Sequence, residues 1–419
     1  MSEREQPLRL GIYVMRFPVS SETFIATKVA GLLDAGFDVH IFAHERSNEW
    51  DRFEMLRDRL DIRSRIHYAP PARPWWKITT VGLWHLLRKA IRHPGAFVRY
   101  ILHNWRNRHE HPLGFWKAVY ERLAFVGHDL DILHVEFDTQ ALSVVDIKHY
   151  LGCKLLLSTR GTFQKTSVLD RFPGAPAYLY RHVDGYHAIS RYLLENAYRL
   201  GLSRSVPIWL IEPAIDLTLF SPNGTRRVRR PDEPLRIISV GRLDWQKGYE
   251  FALDAVARVH QAGIPVHYTI LGRGPYKSAV LFAAHQWGLL QAGVVELAGV
   301  VPREEVPAYM QEADVMLHAA VEEGFCNAVI EAQAMGLPVV TSDAGGLVEN
   351  VIDGVTGFVV PRRDPDALAE KLILLAQDPE LCQRMGEAGR KHALERFDLQ
   401  DQIEAFASLY RELARGPER

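Results

Sequence analysis

The sequence has few cysteines, and none of them is spaced for metal binding. Cys153, Cys326 and Cys382 lie far apart in a chain of 419 residues. The absence of a CxxC pair argues against a structural zinc site or a disulfide framework and fits a reducing compartment. The common nucleotide-binding patterns GxGxxG and Walker A are also absent, as is any repeat of fixed period.

Long apolar runs and a strong overall charge are lacking as well. No uncharged apolar run reaches the roughly 18 residues that a membrane-spanning helix needs. The first residues contain no apolar signal-peptide core, and the formal net charge of -1 gives no global field that would favour nucleic acid. We therefore expect a cytoplasmic protein, and a peripheral membrane contact remains open.

What the sequence does contain is an alternation of short apolar strands with helices. A content of 47% hydrophobic and 24% charged residues over 419 positions predicts two soluble domains. Ser20 or Ser21 is predicted to cap the first helix, and Gly36 to end it. The strand-like segments are 8–15, 37–43, 131–137, 153–159 and 183–190, and a second series begins at 235–241.

This strand–helix–strand pattern is the unit of a parallel sheet. We predict an α/β protein with two Rossmann-like domains that face each other across a deep cleft. The domains are expected at 1–215 and 216–395, with a polar linker near 219–234. A last helix over 396–419 is expected to pack back on the first domain.

Residues 73–122 interrupt the alternation. They carry ten Lys or Arg against two Glu, a net charge of +8, interleaved with tryptophan and phenylalanine. Basic aromatic helices in an insertion over about 70–125 fit docking on an anionic membrane. The alternative is a helical cap with solvated arginines and core tryptophans. No nucleic-acid-binding module is recognisable, so we expect no nucleic acid partner.

The first strand end with unusual chemistry is the segment "SVGRLDWQKGYE". A strand ends at Gly241, Arg242 and Lys247 lie in the loop, and a helix starts near Tyr249. Two cations beside a helix N-terminus form a phosphate site, because the backbone amides and the side chains both favour anions. The alternative is a pair of surface charges on an ordinary strand-to-helix loop.

The second strand end is "ILGRGPYK", in which Gly272 and Gly274 precede a helix predicted to start at Pro275. Glycines allow the backbone to approach a ligand closely, but they are equally common in plain tight turns.

The third strand end is "VEEGFCNAVIEAQAMG". Glu323 lies in the exit loop, Gly324 permits a bend, and the next helix is predicted to begin near Cys326 or Asn327. Glu331 then falls in the second turn of a helix that is apolar nearly all round. A carboxylate buried there needs a ligand or an internal partner; the alternative is a solvated helix residue.

Carboxylates bind pairs of sugar hydroxyls well, because each oxygen accepts charge-assisted hydrogen bonds. Two acids for hydroxyls, with cations and amides between them for a diphosphate, describe a site for a nucleotide sugar.

These motifs resemble the retaining glycosyltransferases of family 4, which have the GT-B fold. The resemblance is carried by "GRLDWQKG", "LGRGP" and "EEGFCNAVIEAQAMGLPVVTSDAGGLVENV". The segments "FPVSSETFI" and "HVEFDTQA" look like the exopolysaccharide branch of colanic-acid type. The resemblance is strong over about 235–395, weaker over 8–45 and 130–215, and absent from 70–125.

The resemblance implies roles for the residues that match. Glu323 would bind hydroxyls of the transferred hexose, Glu331 the nucleotide ribose, and Arg242 and Lys247 the diphosphate leaving group. The implied donor is a UDP- or GDP-sugar, transfer would retain the anomeric configuration, and neither a metal nor another cofactor would be required. The donor-binding positions would be Gly241, Gly272, Gly274, Val300, Gly324, Phe325, Cys326, Asn327 and Glu331.

Departures from the family pattern concern the acceptor side. Many members have a Gly-Gly loop where this chain has Ser21, Glu22 and Thr23, which would face donor phosphate and acceptor. Many also have His-x-His where this chain has His134 and Glu136.

Glu136 would position the acceptor hydroxyl or accept its proton, or it would only line the cleft. His134 fits a core histidine, although its position belongs to the acceptor side. The charge of Arg160 suits a phosphate on donor or lipid acceptor.

Together these features predict transfer of a hexose to a saccharide or polyprenyl-diphosphate-linked acceptor in polysaccharide biosynthesis. The enzyme is expected in the cytoplasm, and docking on the inner face of the cytoplasmic membrane depends on which interpretation of 73–122 holds. Other interpretations are a GT-B epimerase or phosphorylase, or a nucleotide-sugar-binding protein without turnover.

Overall fold

The structure is a computed structural model whose described residues form two compact units. The N-terminal unit comprises residues up to 189, 194–211 and 403 onward, and the C-terminal unit comprises 190–193 and 212–402. The described residues are 6–19, 22–53, 56, 59, 61–70, 75–108, 115–161, 169–170, 173–224, 226–230 and 232–416, with backbone alone at 52 and 75–80.

The N-terminal unit is built on a seven-stranded sheet with the order β3-β2-β1-β4-β5-β6-β7. All of its strand pairs are parallel. The order reverses between β1 and β4, which is where open parallel sheets bind ligands. The strands are β1 (Arg9–Phe17), β2 (Asp38–Arg46), β3 (Ile66–Tyr68), β4 (Ile132–Val135), β5 (Lys154–Thr159), β6 (Gly185–Ala188) and β7 (Ile208–Leu210).

Helices cover both faces of this sheet, and two apolar cores result. The last helix of the chain joins one of these cores through Phe406, Leu409 and Tyr410. The helices that precede the second sheet are α1 (Thr23–Asp34), α2 (Trp75–Arg92), α3 (Pro94–Arg106), α4 (Phe115–Glu121), α5 (Asp138–Ala141), α6 (Ile147–Leu151), α7 (Ala175–Tyr180) and α8 (Arg191–Arg199).

The C-terminal unit has a six-stranded parallel sheet with the order β10-β9-β8-β11-β12-β13. The strands are β8 (Leu235–Val240), β9 (Val266–Leu271), β10 (Val295–Gly299), β11 (Val315–His318), β12 (Val339–Ser342) and β13 (Gly357–Val360). The helices are α9 (Tyr249–Gln261), α10 (Lys277–Gln286), α11 (Val306–Glu312), α12 (Asn327–Ala334), α13 (Pro365–Gln377) and α14 (Pro379–Arg396), followed by α15 (Leu399–Arg415).

Helix α9 shows why these segments fold as they do. Ala252, Leu253, Val256 and Val259 recur at helical spacing and are all buried in the core of the unit. Helices α13 and α14 each begin with an aspartate cap, in which the carboxylate accepts from a first-turn amide at 2.9 and 2.8 Å.

Two details of the predicted helices differ from the structure. Helix α1 begins at Thr23 with Glu22 at the cap position, and the serines predicted to cap it, Ser20 and Ser21, lie outside the described residues. Gly36 follows its end with φ of +84°, a conformation that favours glycine. The helix predicted to start at Pro275 begins two residues later, at Lys277.

The boundary between the N-terminal and C-terminal units lies at 211/212, whereas the sequence suggests a boundary at 215/216. The residues from Ile403 onward count with the N-terminal unit. The interruption at 73–122 contains α2, α3 and α4. No helix among the described residues is both long enough and apolar enough to span a membrane.

Candidate active site

A cation and an acid meet at the carboxyl ends of two neighbouring strands of the C-terminal unit. The loop after β8 carries Lys247, and the loop after β11 carries Glu323. Their strands are paired in parallel, so both loops leave from the same edge of the sheet. The ammonium of Lys247 binds Oε2 of Glu323, and the two side chains are only 18% and 15% exposed.

His318, the last residue of β11, completes this cluster. Its Nε2 lies 3.5 Å from Oε2 of Glu323 and 3.5 Å from Sγ of Cys326. Burial alone would raise the pKa of Glu323, but Lys247 and His318 outweigh it and lower that pKa to about 2. Glu323 is therefore ionised at any physiological pH.

The pKa shifts of His318 and Cys326 favour a protonated imidazole beside a thiolate. Burial would lower the pKa of His318, but its contacts with Cys326 and Glu323 raise it to about 9. Burial would raise the pKa of the Cys326 thiol, but His318 and Lys247 lower it. The site thus holds two cations and two groups that favour negative charge.

Ligand-type atoms of His318, Glu323 and Cys326 all lie within 4.8 Å of one another. The carboxylate of Glu323 is already bound to the ammonium of Lys247. A second cation there would be repelled, so this cluster is better suited to an anionic substrate than to a metal ion.

A pair of glycines that the sequence analysis did not single out holds the Glu323 loop in place. The amide of Gly346 donates to the carbonyl of Glu323 at 2.8 Å. A Cβ on Gly346 would lie 1.9 Å from the carbonyl oxygen of Gly324, and one on Gly345 would lie 2.4 Å from that of Glu323. Only glycine fits at such distances.

The loop then enters α12 at the predicted place. Cys326 is the N-cap residue and Asn327 the first helical residue. Oδ1 of Asn350 accepts from the Cys326 amide at 3.2 Å, which supplies a partner for a helix-start amide. Phe325 is buried and its ring lies 5.9 Å from that of Phe397.

The predicted glycines after β8 and β9 pack backbone against backbone. A Cβ on Gly272 would lie 1.8 Å from the carbonyl oxygen of Gly241, and one on Gly274 would lie 2.0 Å from that of Leu243. These two glycines therefore let the loops after neighbouring strands approach each other closely. This is a structural requirement that holds with or without a ligand.

Arg242 lies in the loop after β8, and its side chain is 60% exposed. Its guanidinium is 3.2 Å from the carboxylate of Asp244. Such an exposed pair is weak, so Arg242 is free to turn towards a phosphate. Gly248 then adopts φ of +60° and starts α9, whose first amides lie at the same sheet edge.

Glu331 is buried in the second turn of α12, as predicted, and it has an internal partner. Arg303 donates to its Oε1 at 2.9 Å, and the Glu331 side chain is only 8% exposed. Burial raises the pKa of Glu331 to about 7, although Arg303 opposes the shift. The Arg303 guanidinium also lies 5.2 Å from the ring of Phe220. Val300, one of the positions expected to bind the donor, is 61% exposed.

In the N-terminal unit the structure brings Glu136, Arg160 and Lys28 together. Glu136 is fully buried; it binds the ammonium of Lys28, and Arg160 donates to its other oxygen at 3.2 Å. Burial would raise the pKa of Glu136, but the charges of Lys28, His134 and Arg160 hold it well below the usual range. A carboxylate so stabilised is a poor proton acceptor, so this geometry favours a structural and electrostatic role over a catalytic base.

Arg160 is engaged as well, because its guanidinium stacks 3.9 Å from the ring of Phe24. Glu22 lies close to both charges. Burial raises the pKa of Glu22 to about 7, with Arg160 opposing and Glu136 adding to the shift. Thr23 begins α1, and its carbonyl accepts from the Thr27 hydroxyl at 3.1 Å. Ser21 lies outside the described residues.

His134 is a buried histidine with partners on both ring nitrogens. Nδ1 lies 2.7 Å from the Tyr410 hydroxyl, and Nε2 lies 2.6 Å from Oγ of Ser158. The Ser158 hydroxyl also forms a hydrogen bond with one ring nitrogen of His187. The other ring nitrogen of His187 lies 2.9 Å from the carbonyl oxygen of Ile211. This chain ties the sheet to α15, and it leaves His134 without an open position for an acceptor.

Lys28, Arg303 and His318 were missed by the sequence analysis. Lys28 carried a signal, since it interrupts the apolar stripe of α1 and a charge there needs an internal partner. His318 carried one too, because it ends a strand next to Glu323. Arg303 had no local signal; only the packing of α12 brings it to Glu331.

The sequence and the fold are both similar to those of known proteins. Residues 223–392 match the family model described as Glycosyl transferases group 1. The chain is 28% identical over 397 residues to the colanic acid biosynthesis glycosyltransferase WcaL of Escherichia coli K12, with 88% of this chain and 91% of WcaL covered. It is 27% identical over 390 residues to the amylovoran biosynthesis glycosyltransferase AmsK of Erwinia amylovora, with 88% and 91% covered.

Among solved structures, Anabaena HepE in complex with UDP and glucose superposes with a TM-score of 0.71 at 15% identity. The alignment covers 96% of this chain and 99% of HepE. At that identity the likeness concerns the fold alone. With two Rossmann-like domains and a matching family model, the chain is a glycosyltransferase that has the GT-B fold and carries a glycosyl transferases group 1 domain.

Proposed function

We propose that the protein is a retaining, metal-independent glycosyltransferase of bacterial exopolysaccharide biosynthesis. It moves a hexose from a UDP- or GDP-sugar to a saccharide or polyprenyl-diphosphate-linked acceptor. The observation that carries this proposal is the Lys247–Glu323 ion pair beside His318, at the carboxyl ends of β8 and β11. The named functions of WcaL and AmsK and the UDP complex of HepE support it.

The donor binds along this sheet edge with its two hydroxyl-rich ends on the two acids. Glu323 accepts from hexose hydroxyls, and Glu331 accepts from ribose hydroxyls near the exposed Val300. The diphosphate lies between them, on Arg242, Lys247 and the first amides of α9 and α12.

Catalysis depends on cations of the protein that lie where negative charge develops on the leaving diphosphate. When the bond from the anomeric carbon to the leaving oxygen breaks, its electron pair goes to the nucleotide diphosphate. Lys247 is already held in place by Glu323, so its ammonium needs little reorganisation to stabilise that diphosphate. Arg242, exposed and weakly paired, moves onto the same phosphate.

On the acceptor side, Glu136 acts through Arg160. The pair places a positive guanidinium beside Glu22 at the start of α1. We assign the N-terminal unit to the acceptor, with Glu136 as a positioning residue. Glu136 is fully buried and ion-paired, so it does not take the proton of the acceptor hydroxyl, which goes to the departing diphosphate.

The protein also docks peripherally on the inner face of an anionic cytoplasmic membrane. Trp84, Trp105 and Trp116 on α2, α3 and α4 are 54%, 55% and 77% exposed. They are therefore not the core tryptophans of a simple helical cap. Arg88 and Arg108 lie over the rings of Trp84 and Trp105. The side chains of Trp75 and Trp76 lie outside the described residues.

The test is release of UDP or GDP from a panel of nucleotide sugars, with and without saccharide and lipid-linked acceptors. The donor panel is first narrowed by thermal shift, since a bound donor raises stability. An α-linked product from an α-linked donor, read by NMR, supports retention, and an unchanged rate after EDTA treatment supports metal independence. Binding without nucleotide release in any acceptor mixture would favour the non-catalytic alternative.

A further inference from the structure

An open cavity of about 990 Å³ in the N-terminal unit has a strongly basic lining. It lies where β2 and β3 end, since Arg46 and Tyr68 are the last residues of those strands and both line it. The opposite wall is α2. Ligands of parallel sheets gather at this edge, and the donor site described above lies in the other unit.

Among the described residues, the Lys and Arg side chains of the lining form no ion pair with an acid. Arg46, Arg88, Lys89 and Arg92 line the cavity, together with His44, His67, His85 and His93. Glu45 is the one acid among the described residues of the lining, and it is already bound to Arg16. Within the described part of the chain, no carboxylate forms an ion pair with any of these four cations.

Crowding of like charge is visible at Lys89. Burial, with the neighbouring Arg88 and Arg92, lowers the pKa of Lys89 to about 8, and its ammonium donates to the carbonyl of Val126 at 2.6 Å. An anion in the cavity would relieve this repulsion, so the lining is suited to a group with more than one negative charge, such as a phosphate or diphosphate.

Helix α2 sets a basic face next to an exposed apolar face. Val81, His85, Arg88 and Arg92 recur at helical spacing and line the cavity. The adjoining face carries Leu83, Trp84, Leu87 and Ile91, which are 56%, 54%, 53% and 79% exposed. Gly82, on the remaining side, packs so closely on Tyr120 that a Cβ would lie 2.3 Å from its ring.

The next helix, α3, also has an exposed apolar face. Val98, Leu102 and Trp105 of α3 follow helical spacing and are 57%, 48% and 55% exposed. An exposed apolar surface of this kind marks an interaction site. Its direct border with the basic cavity fits a ligand that joins an anionic group to a hydrocarbon chain.

We propose that this cavity binds the phosphate or diphosphate headgroup of a lipid acceptor, with the lipid chain along the apolar face of α2 and α3. The proposal rests on the proposed glycosyl transfer and specifies where its acceptor is held. It also moves the acceptor phosphate away from Arg160, whose guanidinium is engaged by Glu136 and Phe24.

The first experiment measures headgroup binding alone. Inorganic pyrophosphate is titrated calorimetrically into the full chain and into the variant R88Q/R92Q. Each lost charge-assisted hydrogen bond should weaken binding by about tenfold. The matched control is R106Q, since Arg106 is an exposed cation of α3 that does not line the cavity. Equal binding by the wild type and R88Q/R92Q, or an equal loss in R106Q, overturns the proposal.

The second experiment distinguishes a lipid headgroup from a free phosphate. Flotation is compared for phosphatidylcholine vesicles that carry a polyprenyl diphosphate and for vesicles that carry phosphatidylglycerol at the same surface charge. We expect preference for the diphosphate vesicles, lost in R88Q/R92Q. In L87Q/I91Q vesicle binding should fall while pyrophosphate binding is kept. If L87Q/I91Q leaves vesicle binding unchanged, the chain contact is wrong.

Donor turnover separates failure of this proposal from failure of the proposed function. Nucleotide release with a water-soluble saccharide acceptor should be the same in the wild type and R88Q/R92Q, and release with the lipid-linked acceptor should fall in the variant. If both rates match the wild type, the cavity assignment fails and the glycosyltransferase stands. If the wild type releases no nucleotide with any acceptor, the proposed function fails.

Discussion

The Lys247 ammonium and the Glu323 carboxylate form an ion pair across two neighbouring strand ends, and both side chains are less than one-fifth exposed. The two strands are paired in parallel and lead into α9 and α12, so the ion pair lies at the sheet edge where these helices begin. Each partner therefore keeps the other ready for a substrate that carries both phosphate and hydroxyl groups.

Replacement of Glu323 by Gln should abolish most turnover. The hexose would lose a charge-assisted acceptor and Lys247 would lose its orienting partner, so we expect kcat for nucleotide release to fall by about a hundredfold. The control is Glu322→Gln, because Glu322 neighbours the site and its carboxylate accepts from Gln246 at 3.1 Å, away from Lys247. A Glu323→Gln enzyme with wild-type turnover would show that the hexose lies elsewhere.

Arg242→Ala should weaken the enzyme without unfolding it. The side chain is 60% exposed, so stability should change by less than about 0.5 kcal/mol. Loss of one cation at the diphosphate should lower kcat/KM for the donor by about tenfold or more. Arg258→Ala, which removes a surface ion pair with Asp254 and Asp366, serves as control. Equal kinetics for the two variants would exclude Arg242 from the phosphate site.

The stability and the ligand affinity of the protein should depend on the ionisation of Glu331. Its pKa in the folded state is raised from 4.5 to about 7, so the folded protein binds more protons than the unfolded chain in that range. The free energy of unfolding should therefore fall as pH rises from 4.5 to about 7. The loss through this group is at most about 3 kcal/mol.

Denaturation of the wild type and Glu331→Gln across this pH range checks the sign. The wild type should lose stability relative to the variant on going from the acidic to the neutral end, whereas Glu304→Gln, at an exposed site, should follow the wild type. UDP or GDP affinity should rise over the same range in the wild type, because ribose hydroxyls donate best to the ionised carboxylate. A parallel pH response of wild type and Glu331→Gln would contradict the assignment.

Gly346→Ala should damage the donor site through the backbone. The added Cβ would lie 1.9 Å from the carbonyl oxygen of Gly324, so the loop that carries Glu323 must shift. We expect destabilisation by about 2 kcal/mol and loss of donor-induced thermal stabilisation. Gly95→Ala, at a position with nothing within 4 Å, should leave both unchanged. Full donor binding by Gly346→Ala would mean that the loop position does not matter.

Glu136→Gln should destabilise the N-terminal unit because it leaves Lys28 buried without a counter-charge. The two side chains are 3% and 0% exposed, and breaking such a pair costs about 3 kcal/mol. The double variant Lys28→Met/Glu136→Leu should recover most of that loss in urea denaturation. Glu45→Gln, which breaks the exposed pair with Arg16, should cost less than about 1 kcal/mol. A Glu136→Gln variant with wild-type stability would argue that Glu136 does not stabilise the buried Lys28.

The sequence alone was sufficient for the parallel α/β architecture and for the positions of Glu323 and Lys247 after strand ends. The hydrophobic periodicity of strands and helices is visible within short segments of the sequence. Glu323, Lys247 and the glycines follow the strands that this periodicity predicts. The burial of Glu331 was also predictable, because the residues around it are apolar on every side of the helix.

Tertiary structure decided which partners these groups have. Arg303 reaches Glu331 from 28 positions away, and Lys28 reaches Glu136 from 108, so no local pattern pairs them. That pairing makes Glu136 a buried ion-pair partner in place of a candidate base. Arg160 is paired with Glu136, whereas Arg46, Arg88 and Arg92 form no ion pair with an acid among the described residues. Sequence determines which residues carry charge, but burial and distance determine whether that charge is neutralised within the fold or left for a substrate.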